Sequence, residues 1–262
     1  GTNIIAYSYN GINWTGLGSS IMFSTSGLGI VWTGTNFVAT GNGTTNTIAY
    51  SSDGINWTGL GSTILYIGNS VAVNGDGNTI IVSGTIGGSI NNSLAYSTNT
   101  TQWTGLGSTI FSTQGNGIVW SGDKFIATGQ GTNTLAYSLT GTTWTGLGTT
   151  VFTTSGQSVA WNGIRYAAVG SGTNTLAYSS NGIVWTVLGN SIFSTSGYGI
   201  YWNGAKFVAV GDGSANFIAN SIDGINWTGI GKSMFSTKAN NISFNNARQH
   251  TITFPQTMII LS

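Results

Sequence analysis

Six tryptophans, each followed by threonine, recur along the chain at Trp14, Trp57, Trp103, Trp144, Trp185 and Trp227, spaced by 43, 46, 41, 41 and 42 residues. A period of roughly 40–45 residues marks a repeat architecture in which each unit buries its apolar face against the next. A unit such as GNGIVWSGDKFIATGQGTNTLAYSLTGTTWTGLGTTVFTT, from Gly115, divides into four short strands. GIVW is followed by a tight SGDK turn, FIATG leads into a polar GTNT loop, and TLAYS turns into the strand that begins at the tryptophan. Short β-rich runs punctuated by Gly, Asn and Asp predict antiparallel hairpins, and no useful length has helical periodicity. Four strands per repeat predict an all-β six-bladed β-propeller, with residues 1–262 as one domain. A β-solenoid also uses Gly/Asn turns, but its coils are usually shorter and lack the recurring hairpin.

The two ends predict how the ring closes. GTNIIAYSYNGINWTG at the start supplies only the third and fourth strands of a unit, and NNISFNNARQHTITF near the end resembles the first two. The closing blade is therefore expected from about 1–17 plus 240–262. The tail Gln256–Ser262 (QTMIILS) is expected to be an extra edge or packing segment, with a third-strand register as its competitor. A start in mid-blade fits strand exchange between the ends or excision from a longer protein.

Only 4% of residues are charged, there is no glutamate or cysteine, and 42 glycines accompany 10 tryptophans. Such a composition could belong to a disordered, low-complexity chain, but 12% aromatic residues recurring in register argue for a buried core. A net charge of +1 with scattered Lys and Arg gives no footprint for nucleic acid. No apolar run approaches the ~20 residues of a membrane span. Without cysteine there is no disulfide or thiolate metal site.

The turn before each tryptophan carries a family resemblance. SSDGINW (Ser51–Trp57) and SIDGINW (Ser221–Trp227) resemble the Asp box of sialidase-like propellers, with one residue fewer between Asp and Gly and Asn at the Thr position. SYNGINW, SSNGIVW, STNTTQW and SLTGTTW are decayed copies. The whole repeat also resembles propeller proteins predicted in large DNA viruses and environmental sequences. The resemblance implies a BNR-like fold, with Asp53 and Asp223 as turn locks on the face opposite the usual ligand face. It also invites sialidase chemistry, which would need three arginines and a Glu-activated Tyr. Only Arg165 and Arg248 are present, and no Glu.

Other chemistry is as poorly supplied. Glycosidases need two carboxyl groups with separated pKa values, and turn duty accounts for Asp53, Asp76, Asp123, Asp212 and Asp223. A nucleophilic triad needs a base, and the single His250 falls in the closing segment. NGDGNT (Asn74–Thr79) alternates oxygen ligands like a calcium loop but lacks Gly at the sixth position and Glu at the twelfth. A hairpin turn is expected there instead. Arg165 shares its slot with Lys124 and Lys206, which predicts an exposed hairpin position. No enzyme, cofactor or metal is expected.

Two polar segments exceed the apparent needs of packing. The second-to-third strand loops place Asn3, Asn46, Asn92, Asn133, Asn174 and Asn216 in matching slots. The links between blades place Phe23, Phe111, Phe152, Phe193 and Phe235 beside Ser and Thr, with Tyr66 in the second blade. Both are expected on one nearly uncharged face, as a ligand surface of amides, hydroxyls and aromatic rings. The first hypothesis is thus a monomeric, non-catalytic, lectin-like propeller that binds neutral carbohydrate or a protein. The alternative is a structural or surface-display module of a viral or extracellular assembly. Against the first, Asn-Gly turns are ordinary loop chemistry and the Phe rings could plug gaps between blades. Seven sequons, including Asn13, Asn56 and Asn226, arise readily in an Asn/Thr-rich chain and do not fix a compartment.

Overall fold

The computed structural model describes residues 3–18, 22–235, 237–240 and 242, and the backbone of 258–261. Among the described residues there are strands and turns but no helix, hence no helix long and apolar enough to cross a membrane. The strands form two compact units. One takes the described residues up to Thr109, Thr113–Gly115 and the last strand. The other takes Ile110–Ser112 and Asn116 onward.

The first unit holds two four-stranded meanders. They are β3 (Ser26–Trp32), β4 (Phe37–Asn42), β5 (Ile48–Ser51) and β6 (Thr58–Gly59), then β7 (Ile67–Val73), β8 (Ile80–Thr85), β9 (Leu94–Ser97) and β10 (Thr104–Gly105). The second unit holds two more, β15 (Ser155–Trp161) to β18 (Thr186–Gly189) and β19 (Ser196–Trp202) to β22 (Thr228–Gly231). It also holds most of a fifth, β11 (Gln114–Trp120), β12 (Phe125–Gln130), β13 (Leu135–Ser138) and β14 (Thr145–Gly146).

Second strands such as FVATG and FIATG are buried along five successive residues. They lie inside the sheet with both faces covered, which explains why they read as apolar runs with small residues instead of alternating. Within each unit the cores lie between consecutive meanders. Ile126 and Leu135 of one meet Val151, Phe152, Val159 and Tyr166 of the next. Val169 and Leu176 then meet Phe193, Ile200 and Phe207. Alanines 39, 49, 127, 136, 168 and 177 are wholly buried, where a larger side chain would push the sheets apart. First strands bulge at their Gly-x-Gly/Ser run, with register shifts between Gly27 and Gly29, Gly68 and Ser70, Gly156 and Ser158, and Gly197 and Gly199.

At the start of the chain, β1 (Ile5–Ser8) pairs with β2 (Thr15–Gly16) on one side and β23 (Met258–Leu261) on the other. This corrects the expectation for the tail. Met258–Leu261 takes the second-strand place, with Ser8 opposite Met258 just as Ser51 lies opposite Phe37 and Ser138 opposite Phe125. HTITF, with Arg248 and His250, lies outside the described residues.

Candidate functional site

The turn between third and fourth strands locks as its sequence suggests. In Ser51–Trp57 the Asp53 carboxylate accepts the backbone N–H groups of Ile55 and Asn56 at 2.8 and 2.7 Å, and the Asn56 amide at 2.7 Å. Ser51 Oγ donates to Asp53 and accepts from Gly54 N, and Trp57 Nε1 donates to Gly54 O at 3.0 Å. Gly54 holds φ at 75°, a conformation that suits glycine. In the decayed copy STNTTQW, Thr100 adopts it at φ 67°. Asn10 and Asn181 make the same two backbone bonds as Asp53. The tryptophan then packs on its own meander's second-strand ring, as Trp57 does on Phe37 and Trp185 on Tyr166, with centroids 6.4 and 6.2 Å apart.

These bonds hold the Asp53 carboxyl well below the usual carboxylate range, chiefly through the N–H groups of Asn56 and Ile55. At Asp223 partial burial pushes upward, but the N–H groups of Asn226 and Ile225 outweigh it and the carboxyl is again strongly acidic. A folded-state pKa below the unfolded value adds stability above the unfolded pKa, and that stability is lost as pH falls through the folded one. The thermal midpoint of the wild type should therefore drop between about pH 5 and pH 2. An Asp53→Asn/Asp223→Asn variant, with turns like that at Asn10, should show a flatter profile and converge on the wild type in acid. Parallel profiles would contradict this role.

At the opposite end of the third strand, the expected ligand amides are occupied. Asn46, Asn92, Asn133 and Asn216 accept the N–H of Gly61, Gly107, Gly148 and Gly231 at 2.8–3.0 Å, and Asn3 accepts that of Gly18 at 2.8 Å. Asn92, Asn133, Asn174 and Asn216 also donate to the carbonyls of Ile64, Ile110, Val151 and Ile192 in the preceding link. Each amide except that of Asn174 lies flat against a fourth-strand glycine (Gly16, Gly59, Gly105, Gly146 or Gly229), where an added Cβ would overlap it. At the fifth repeat Val187 stands in that glycine's place.

Four of the five rings of the expected aromatic platform are buried. Phe23 is 1% exposed, and Phe111, Phe152 and Phe193 are 0% exposed. Phe23, Phe152 and Phe193 fill gaps between sheets, packed over Gly41, Gly170 and Gly211. Only Phe235 among these five is open, at 45%. The two segments do converge, since Ser24, Ser112 and Ser194 hydroxyls and that of Thr153 hold the backbone N–H of Thr44, Thr132, Ser214 and Thr173. That convergence is a brace.

Arg165 is half-buried instead of exposed. Its Nη1 donates to Asp223 O in the next meander at 2.8 Å, and its guanidinium lies 5.6 Å from the Tyr178 ring centroid. Asp123 is held below the usual range by its bond to Lys124, and by Ser121. NGDGNT forms a turn in which Asn74 Oδ1 accepts Thr79 N at 2.9 Å. The bulge residues were missed by the sequence reading. Asn69 reaches Gly115 O at 2.8 Å, and Asn116 reaches Gly156 O at 2.7 Å, tying neighbouring first strands.

Exposed large apolar side chains include Ile12 (81% exposed), Tyr9 (60%) and Met234 (72%), and four more gather at the Asp-turn end of the second unit. Ile164 (75% exposed), Val184 (71%), Ile222 (67%) and Leu139 (64%) all sit on turn tips there. The Arg165–Asp223 bond brings the turn carrying Ile164 against the turn carrying Ile222. Sequence could have flagged these residues, because turn tips ordinarily carry Gly, Asn, Asp, Ser or Pro.

No protein-family model matches the chain, and no curated protein matches it. Among solved structures it is similar to a chain of a nidogen/laminin complex, with TM-score 0.58 and 15% identity over 77% of this chain and 78% of that one. It is also similar to the GH74 xyloglucanase of Xanthomonas campestris, with TM-score 0.51 and 18% identity over 78% of this chain. That match spans only 32% of the xyloglucanase chain. A third similar structure is a structural genomics protein of unknown function from Bacteroides thetaiotaomicron, with TM-score 0.52 and 12% identity over 84% of this chain and 64% of that one. At such identities the likeness speaks of fold alone, and the fold is of the β-propeller type.

Proposed function

We propose that the chain is a six-bladed propeller of the Asp-box kind, closed through β1 and β23, that acts as a non-catalytic protein-binding module. Its partner docks on the turn tips around Ile164 and Ile222. The observation that supports this is the run of exposed aliphatic side chains on those tips, where a soluble turn gains nothing from them unless something covers them. Lys206 lies exposed on the same kind of turn, so the fitting partner has an apolar centre with an acidic rim. The likeness to a chain from a protein complex agrees with this reading. Catalysis has little to draw on, since Asp53 and Asp223 are spent in turns and Asp123 on Lys124. A neutral-glycan site loses support because the Asn amides and Phe rings that would form it are used inside the fold.

Peptide display against the full-length protein tests the proposal. Selected peptides should combine aliphatic with Asp or Glu residues. An Ile164→Ser/Ile222→Ser variant should lose their binding at least tenfold with an unchanged thermal midpoint. Sugar-competable binding on a glycan array, unaffected by that variant, would instead restore the lectin reading.

A further inference from the structure

The turns that carry Ile164 and Lys206 both begin with Asn-Gly, in which no Cβ hinders the backbone nitrogen that follows the amide. Asn162 Oδ1 accepts the N–H groups of Ile164 and Arg165 at 2.9 and 2.6 Å. Asn203 Oδ1 accepts those of Ala205 and Lys206 at 3.0 and 2.8 Å. Both are Asx turns, which fold the amide over the peptide that joins Asn to Gly. The two N–H donors also point at the oxygen on which charge gathers when that amide carbonyl is attacked.

Asn10 and Asn181 are a control within the same chain. Each precedes a glycine, and each Oδ1 accepts the N–H groups two and three residues on at 2.9 Å. The difference is at the glycine nitrogen. Gly11 N and Gly182 N donate to the buried hydroxyls of Ser8 and Ser179 at 2.9 Å. Gly117 N, after Asn116, is likewise held by Thr128 Oγ1 at 2.9 Å. Gly163 N and Gly204 N have no hydrogen-bond partner among the described residues. Both glycines are exposed, and beyond their chain neighbours nothing lies within 4 Å of where a Cβ would stand. Water and hydroxide reach these two nitrogens freely.

We propose that Asn162 and Asn203 are self-modifying sites, which convert without an enzyme to aspartate and isoaspartate and so retire the docking tips as the protein ages. Hydroxide takes the proton of the glycine nitrogen, which attacks the Asn Cγ. The new N–Cγ bond closes a succinimide ring while the Cγ–Nδ2 bond breaks, and ammonia leaves with a proton returned by water. A second water opens the ring, giving aspartate where the new bond is cut and isoaspartate where the original peptide bond is cut. Either product places a carboxylate three residues before Arg165 or Lys206, facing a partner with an acidic rim, and like charges across an interface suppress binding. Isoaspartate also lengthens the main chain by a methylene, across the turn bonds from Asn162 N to Arg165 O and Asn203 N to Lys206 O at 3.2 and 3.0 Å. The effect on docking rests on the function proposed above, whereas the chemistry does not.

Peptide mapping by mass spectrometry of the full-length protein, aged in its native state at mildly alkaline pH, tests the chemistry. Asn162 and Asn203 should convert about tenfold or more faster than Asn10, Asn116 and Asn181, whose glycine N–H groups are protected by hydrogen bonds of the fold. In urea all five should converge. Native conversion of Asn10 or Asn181 as fast as that of Asn162, or none at Asn162 and Asn203 beyond the other three, would overturn the proposal. An Asn162→Ser/Asn203→Ser variant keeps the turn, since Thr33 and Ser121 close the same turn through Thr33 N to Asn36 O and Ser121 N to Lys124 O. It should hold its binding of the selected peptides on ageing, while wild-type binding declines in step with product at Asn162. Equal decline in both, or conversion at Asn162 with wild-type binding intact, would overturn the link to docking. Peptides that bind neither protein even when fresh would count against the docking surface, and the conversion rates would still judge the chemistry.

Discussion

Phe152→Ala should lower stability by about 3–5 kcal/mol, the usual cost of truncating a buried aromatic residue. The ring is 0% exposed. It packs with Val151, Val159 and Tyr166 against Ile126 and Leu135 of the preceding meander, and lies so close to Gly170 that a Cβ there would strike it. Its removal forfeits transfer energy and leaves a cavity between two sheets that cannot collapse without breaking both. Phe111→Ala and Phe193→Ala should behave alike, since both rings are also 0% exposed. Phe235→Ala occupies the same sequence slot but starts 45% exposed, and should cost less than about 1 kcal/mol. Urea unfolding of the four variants checks this ranking. Equal, small effects at all four positions would mean the rings are not plugs, and would return them to the surface role that their Ser/Thr surroundings suggest.

That contrast shows what the sequence could and could not carry. The strands were legible because Gly and Asn punctuate them and each repeat restates the pattern, so an error at one copy is corrected by the others. The turn lock was legible because Ser51, Asp53, Gly54 and Trp57 act within seven residues. The Asn slots were found, but their chemistry was not, because each amide's partner glycine is 15 residues downstream. A signal did exist in that each slot is followed at fixed distance by Thr-Gly. The one departure is Val187. Arg165 was misread because slot equivalence with Lys206 says nothing about the neighbouring meander, whose Asp223 carbonyl captures it. The tail was misread because period alone assigns the second-strand place to HTITF, while pairing with β1 goes to a segment eight or nine residues later.

Asn133→Ala should cost about 2–3 kcal/mol, because two half-buried backbone groups lose their partner at once. Oδ1 accepts Gly148 N at 2.8 Å and Nδ2 donates to Ile110 O at 2.7 Å. Asn174→Ala should cost about 1 kcal/mol, since that amide's backbone bond is to Val151 O alone, at 3.1 Å. The decisive measurement is a double-mutant cycle with Gly146. Alone, Gly146→Ala drives a methyl into the Asn133 amide and should destabilise. In the Asn133→Ala background the methyl enters vacated space, so the combined loss should be smaller than the sum by about 1 kcal/mol or more. An amide kept for a ligand would add nothing to stability and would not couple to a glycine on the far strand. If the coupling appears, the Asn loops are internal clamps repeated from meander to meander. The proposed partner is then to be sought first on the exposed turn tips around Ile164 and Ile222.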